Sequence, residues 1–357
     1  MERRKRVLVA PLDWGLGHAT RCIPIIDELL KQDAEVFVGA YGDGLLLLKE
    51  AYPQLTFVDL PGVKIRYQKN GSFALNLFFQ LPKLLRSIKR ENIQLSKLID
   101  EYLIDIVISD NRFGLYSREV KTVFITHQLR IIMPQVFKLF QPLVDWLNYK
   151  YINRFNVCWI PDAEGVENLG GKMSHPILKP TTPLMYLGAI TRMHRKHSEE
   201  KKWTAIAVLS GPEPQRTLFE EKLIRQMQTC EGKFLIVRGK ADYKSSTVIN
   251  NVSLINYLNS TELEREIGVA EVLICRSGYS TLMDLTALQI PAIMVPTPGQ
   301  TEQEYLAESL TQKKIYFSSG QAKFQLLTAL QLYSKFTNKL NNYESNLQTA
   351  VKKLLQQ

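Results

Sequence analysis

The sequence predicts an α/β protein of two doubly wound domains, each a mostly parallel sheet covered by helices on both faces. Three observations carry that reading. Short apolar runs without polar alternation recur along the chain, as strands buried on both faces require. Stretches with helical spacing separate them. The 357 residues also exceed the roughly 250–300 at which a single core stops growing.

In order, RVLVAPL reads as a buried strand, and RCIPIIDELLKQ as a helix after a glycine-containing turn. AEVFVGA, LTFVDL, DIVISD and KTVFITH follow as strands, with VCWIPD the last of this half. From Pro176 to Lys202 the chain is proline-rich and then densely charged, which reads as the join between halves. WTAIAVLSG opens a second α/β half that continues through GKFLIVRG, VSLINYL, AEVLICRSG and PAIMVPT. The tail from Leu326 to Gln357 has helical spacing. The expected domains are therefore 1–185 and 203–337 with a linker at 186–202. A helix over about 338–357 could pack back on the first domain. No internal repeat is present.

With 45% hydrophobic and 22% charged residues, the composition is that of a water-soluble globular chain. Cys22, Cys158, Cys230 and Cys275 lack paired or metal-like spacing, which argues for a reducing compartment and against zinc or disulfides. No run approaches the ~20 apolar residues of a spanning helix. MERRKR followed by an apolar stretch mimics a signal peptide, but Asp13 interrupts it. It reads as the first strand of a cytoplasmic protein. The net charge of +10 suits nucleic acid, an anionic membrane or an anionic small ligand. The basic residues are spread without a nucleic-acid signature, so nucleic acid ranks last. Two segments mix aromatic, aliphatic and basic residues. They are Phe73–Gln94, with Lys83, Arg86, Lys89 and Arg90, and Ile131–Phe155. Each reads either as a core helix with a solvated edge or as a surface that meets anionic lipid.

In doubly wound sheets ligands sit outside the carboxyl ends of the strands, so two such domains facing each other would hold substrates in an interdomain cleft. After the first strand, LDWGLGHATR places Gly15 and Gly17 in a tight turn before a helix, with His18 at its mouth. The alternative is a plain turn with a surface histidine. Asp110, at a strand end, could cap a helix or hold a histidine's second nitrogen. His127 and Gln128 fall at a third strand end as cleft lining. In the second half, Ser210 and Gly211 are phosphate-loop types, although Pro212 and Pro214 remove two N–H donors. Gln215 and Arg216 follow as weaker candidates. Arg276, Ser277 and Gly278 join a strand to a helix, where small residues and free N–H groups suit a diphosphate. Asp284, flanked by apolar residues, could bind two vicinal ribose hydroxyls or lie on a helix edge. Gln300, Gln303 and Glu304 suit sugar hydroxyls, or simply open a polar helix capped by Thr301.

The block Arg276–Ala307 resembles the donor-binding signature of glycosyltransferase family 28, through CRSG, an acid six residues after Gly278, PAIMVP, and Gln303-Glu304-Tyr305. GLGH resembles that family's N-terminal glycine loop. The resemblance implies a GT-B fold of two facing Rossmann-like domains and an inverting, metal-independent transferase without a cofactor. It implies a nucleotide-sugar donor, UDP-linked, in the C-terminal half. The hydroxyl acceptor, of a class that includes lipid-linked and envelope compounds, would bind the N-terminal half. It further implies roles: Asp284 on the ribose, Ser277 and Gly278 on the diphosphate, Gln303 and Glu304 on the sugar, the Leu258 backbone at the base. His18 would be general base with Asp110 its partner. Two departures stand out: Glu304 replaces a second glutamine, and SGPEP replaces a glycine-serine loop. A nucleotide-sugar epimerase of the same fold and a non-catalytic nucleotide-sugar binder are the competing functions.

Overall fold

The computed structural model describes residues 3–14, 16–62, 73–193, 200–240, 245–340 and 343–356. The chain divides into two units, Met1–Arg192 with Tyr343–Gln357, and Met193–Asn342. Each unit is built on one seven-stranded sheet.

The N-terminal sheet comprises β1 (Arg6–Pro11), β2 (Glu35–Ala40), β3 (Thr56–Asp59), β4 (Ile106–Asp110), β5 (Lys121–Ile125), β6 (Val157–Ile160) and β7 (Leu184–Tyr186). Its order is β3-β2-β1-β4-β5-β6-β7, and every pair is parallel. The order reverses between β1 and β4, the position at which such sheets open a crevice for ligands. The helices are α1 (Leu16–Lys31), α2 (Gly42–Ala51), α3 (Phe73–Tyr102) and α4 (Gln141–Ile152). α1 buries Cys22, Ile25, Ile26 and Leu29, the i, i+3, i+4, i+7 stripe of an amphipathic helix. β7 lies beside the stretch read as the join. At three residues, just after Pro183, it is too short to show a period.

The two basic-aromatic segments differ. The side chains of residues 73–81 lie outside the described residues. Beyond them α3 buries Ile88, Leu95, Leu98 and Ile99 and exposes Lys83, Arg86, Lys89 and Arg90, so this part is a core helix with a solvated edge. The second segment forms a 3-10 turn at Gln135–Phe140 that leads into α4. Here Val136, Leu139, Phe140, Leu143 and Trp146 are exposed, Leu139 to 94%, so this face is not core. Among the described residues no helix is long and apolar enough to cross a membrane.

The second sheet comprises β8 (Trp203–Val208), β9 (Phe234–Val237), β10 (Ser246–Ile249), β11 (Val252–Ile255), β12 (Ala270–Cys275), β13 (Ala292–Met294) and β14 (Phe317–Ser318). Its order is β10-β11-β9-β8-β12-β13-β14, parallel except for the β10–β11 pair. β10 is exposed throughout and β14 has two residues, so neither carries the apolar run that marks a buried strand. The helices are α5 (Gln215–Met227), α6 (Ser260–Gly268), α7 (Tyr279–Leu288), α8 (Thr301–Gln312) and α9 (Leu326–Ser334). α6 starts on a capping box: Asn259 accepts from the Glu262 N–H while Glu262 accepts from the Asn259 N–H. The tail is not one helix. After α9 comes α10 (Leu347–Leu355), which packs on α1 in the N-terminal unit through Leu347, Ala350, Val351 and Leu354.

Candidate functional site

In the N-terminal unit the strand register brings the predicted residues together. Pro11, Asp110 and Ile125 pair across β1, β4 and β5, so the chain leaves the sheet at one level on three adjacent strands. His18 and Arg21 stand one helical turn apart on α1, on the same face. His18 Nδ1 lies 3.2 Å from Asp110 Oδ2 and 2.9 Å from Arg21 Nη2. Arg21 grips both oxygens of Asp110, through Nε at 3.1 Å to Oδ2 and through Nη2 to Oδ1, and its Nη1 lies 3.2 Å from His127 Nδ1. Asp110 is fully buried and His18 is 18% exposed. Burial pushes the Asp110 carboxyl up. The charge of Arg21 and the contact with His18 outweigh it and hold the group down at about 2.

This arrangement gives His18 two states. If Nδ1 carries the proton it donates to Asp110, and Nε2 holds a lone pair that can take a proton from a hydroxyl. If Nδ1 is bare it accepts from Arg21, and Nε2 carries the hydrogen. Nε2 has no hydrogen-bond partner among the described residues. Beside the cluster, Asn148 of α4 donates to the Gln128 and Leu129 carbonyls and fixes the segment that carries His127 and Gln128. Gly17 lies in the first turn of α1, where Thr20 Oγ1 donates to its carbonyl, and Gly15 lies outside the described residues.

In the C-terminal unit the predicted residues lie along the carboxyl ends of β11, β8, β12 and β13. Leu258 follows β11, half-buried just before the α6 cap. Ser210 and Gly211 follow β8 and are exposed, with Gly211 at φ +98°. Arg276, Ser277 and Gly278 follow β12, and residues 296–300 follow β13. Three helices, α5, α7 and α8, begin at these ends, each offering unpaired N–H groups to an anion.

Several of these side chains bind the strand ends to one another. Arg276 is 1% exposed. It donates to the carbonyls of Val295 (3.1 Å), Pro296 (3.4 Å) and Gln215 (3.1 Å) and lies over the Phe219 ring. Burial pushes its guanidinium down to about 10, so it stays charged at neutral pH. Ser277 Oγ donates to the Gln303 carbonyl at 2.8 Å. Gln303 accepts from the Thr297 N–H at 2.8 Å and donates to Gln300 Oε1, and Glu304 accepts from the Gly299 N–H at 2.9 Å. Arg216 pairs with Glu213 and donates to the Gly239 carbonyl, and Gln215 accepts from Gln321. Asp284 lies with Ser280, Thr281 and Ala287 on the less buried face of α7, opposite Leu282, Met283 and Leu285.

Sequence reasoning missed three charged residues that the fold uses. Arg21 carried a signal, its three-residue spacing from His18. Arg112 and Glu91 form a buried pair at 2.9 Å, and Arg112 also donates to the Leu60 carbonyl. Burial holds the Glu91 carboxyl above its usual range despite the Arg112 charge. Their separation in sequence gave no hint of the pair.

The comparisons follow the same division. Residues 206–357 match the glycosyltransferase family 28 C-terminal domain. An uncharacterized glycosyltransferase of Methanosarcina acetivorans is 23% identical over 84% of this chain and 81% of its own. A UDP-N-acetylglucosamine–N-acetylmuramyl-(pentapeptide) pyrophosphoryl-undecaprenol N-acetylglucosamine transferase of Caldanaerobacter subterraneus is 22% identical, over 82% and 80%. Among solved structures, Streptomyces nogalater SnogD superposes with TM-score 0.61 at 15% identity, and Acinetobacter baumannii MurG with 0.60 at 14%, each covering 99% of both chains. Group transfer, rather than epimerisation, is the chemistry these relatives share in name.

Proposed function

We infer, for a glycosyltransferase of the GT-B fold whose residues 206–357 are a family 28 C-terminal domain, an inverting transfer of a hexose or N-acetylhexosamine from a UDP-linked donor. The donor is assigned to the C-terminal unit. The acceptor, a lipid-linked hydroxyl compound handled at the cytoplasmic face of a membrane, is assigned to the N-terminal unit. The observation that carries the reading is the His18–Asp110 contact at the switch point between β1 and β4. With Nδ1–H donated to Asp110, His18 Nε2 takes the acceptor proton as the hydroxyl attacks the anomeric carbon. Such base catalysis is worth roughly 100- to 10,000-fold.

The leaving diphosphate gains negative charge. The N-termini of α5, α7 and α8 and the buried charge of Arg276 oppose it, so no metal ion is required. Arg276 acts here through its field, because its Nη atoms are engaged by carbonyls. Asp284 is assigned to the ribose, Ser210, Gly211 and Gly278 to the diphosphate, the Leu258 backbone to the base, and Gln300 and Glu304 to the sugar. Ser277 and Gln303 shape the loop that presents them.

A donor screen tests this reading. UDP or TDP release is measured across nucleotide sugars, with a membrane extract as acceptor. One donor should give acceptor-dependent release, and Asp284→Asn should weaken UDP binding at least about tenfold with folding intact. Isomerisation of a UDP-sugar without acceptor would instead establish the epimerase.

A further inference from the structure

The Thr297 hydroxyl is enclosed and has no hydrogen-bond partner among the described residues. Thr297 is 1% exposed and lies three residues past the end of β13. An unpartnered buried hydroxyl costs about 1–3 kcal/mol, and an apolar group of the same shape would not incur that cost. Valine has that shape, so stability alone favours valine at this position.

Gly211 shows where the hydroxyl points. A Cβ built on Gly211 would meet one atom within 4 Å outside its chain neighbours, and that atom is Thr297 Oγ1 at 3.3 Å. Any other residue at 211 would therefore crowd the hydroxyl, besides being strained at φ +98°. The space above Gly211 adjoins the turn between β8 and α5, and the α7 and α8 N-termini follow the next two strands, β12 and β13. A group held there meets N–H donors and the buried Arg276 charge, a setting that selects an anion.

We propose that Thr297 Oγ1 is a direct ligand of the donor diphosphate, donating its hydrogen to a phosphate oxygen seated over Gly211. The assignment rests on the C-terminal unit being the donor site. It explains why a hydroxyl is kept where the fold has no partner for it. It also gives the glycine at 211 a role that SGPEP, with its prolines, does not suggest.

The test compares wild type, Thr297→Val and Thr297→Ser by calorimetric titration with UDP and by thermal unfolding. Thr297→Val should unfold at the wild-type temperature or above it, and should bind UDP about tenfold or more weakly. Thr297→Ser, which keeps the hydroxyl, should bind UDP close to wild type. Three results overturn the assignment: wild-type UDP affinity in Thr297→Val, a Thr297→Val midpoint lowered by several degrees, or Thr297→Ser as weak as Thr297→Val. Wild type that binds neither UDP nor TDP removes the donor reading itself. Wild-type binding with an unaffected Thr297→Val removes this assignment alone.

Discussion

Asp110 and Arg21 ask opposite things of His18, one accepting a proton from Nδ1 and the other offering one. Catalysis by Nε2 needs the first. His18→Ala should therefore lower transfer by about 100-fold or more while leaving UDP affinity near wild type, read by turnover and calorimetry. A variant with near-normal turnover would move the base elsewhere. Asp110 also carries stability. Its carboxyl is held at about 2 in the fold, below its unfolded value of about 3.9, so the native state favours the ionised form. That contribution is complete above pH about 4 and is lost as pH falls toward 2. Thermal midpoints between pH 2 and 6 should show this acid limb in wild type and lose it in Asp110→Asn. At pH 7 the same variant should be less stable by about 3–5 kcal/mol, because Arg21 is left buried without its counter-charge. Sequence found His18, Asp110 and His127 because each stands just past a buried strand, where a polar side chain is conspicuous. It missed Arg21, since an arginine on a helix reads as solvated. Thr297 was hidden for a different reason: whether a hydroxyl has a partner is settled only by packing.

Among the elements, α10 gives the sharpest test. Leu347, Ala350, Val351 and Leu354 repeat at i, i+3, i+4, i+7 and join the core that α1 covers. Leu354→Ala should cost about 2–5 kcal/mol in denaturant unfolding. Lys352→Ala, on the exposed side, should stay within about 0.5 kcal/mol. Equal effects would mean that α10 contributes little to that core. The long apolar strands and α1 were legible because their patterns run over whole elements. β7, β10 and β14 were not, being short or exposed edge strands held by pairing with neighbours. The break between α9 and α10 was also missed, because both halves keep helical spacing and only tertiary packing separates them.

For the whole molecule, the net charge of +10 and the apolar face around α4 bear on location. Val136, Leu139, Phe140, Leu143 and Trp146 are exposed together with Lys138 and Lys150, whose Nζ lies 5.1 Å from the Trp146 ring. Tyr149 donates to the Leu178 carbonyl, which brings the exposed Ile177 and Leu178 to the same helix. Such a face suits the headgroup layer of anionic lipid, where each basic residue adds about 1 kcal/mol. The protein should sediment with anionic but not neutral vesicles at low salt. Leu139→Ser with Trp146→Ser should weaken this strongly, and changing Lys83, Arg86, Lys89 and Arg90 to Gln should weaken it by charge alone. Wild type left in the supernatant with anionic vesicles would favour a soluble acceptor.

The seat of α10 sets an order of events during synthesis. The ribosome delivers the strands of the first sheet, then every strand of the second, and only then the helix that covers part of α1. Through that interval the N-terminal unit waits with an apolar stripe uncovered, while the later unit can already close on itself. Nascent chains halted before residue 343 should therefore engage chaperones through the first unit rather than the second. A separate peptide of residues 343–357 should relieve them by taking its place against α1 from outside the chain.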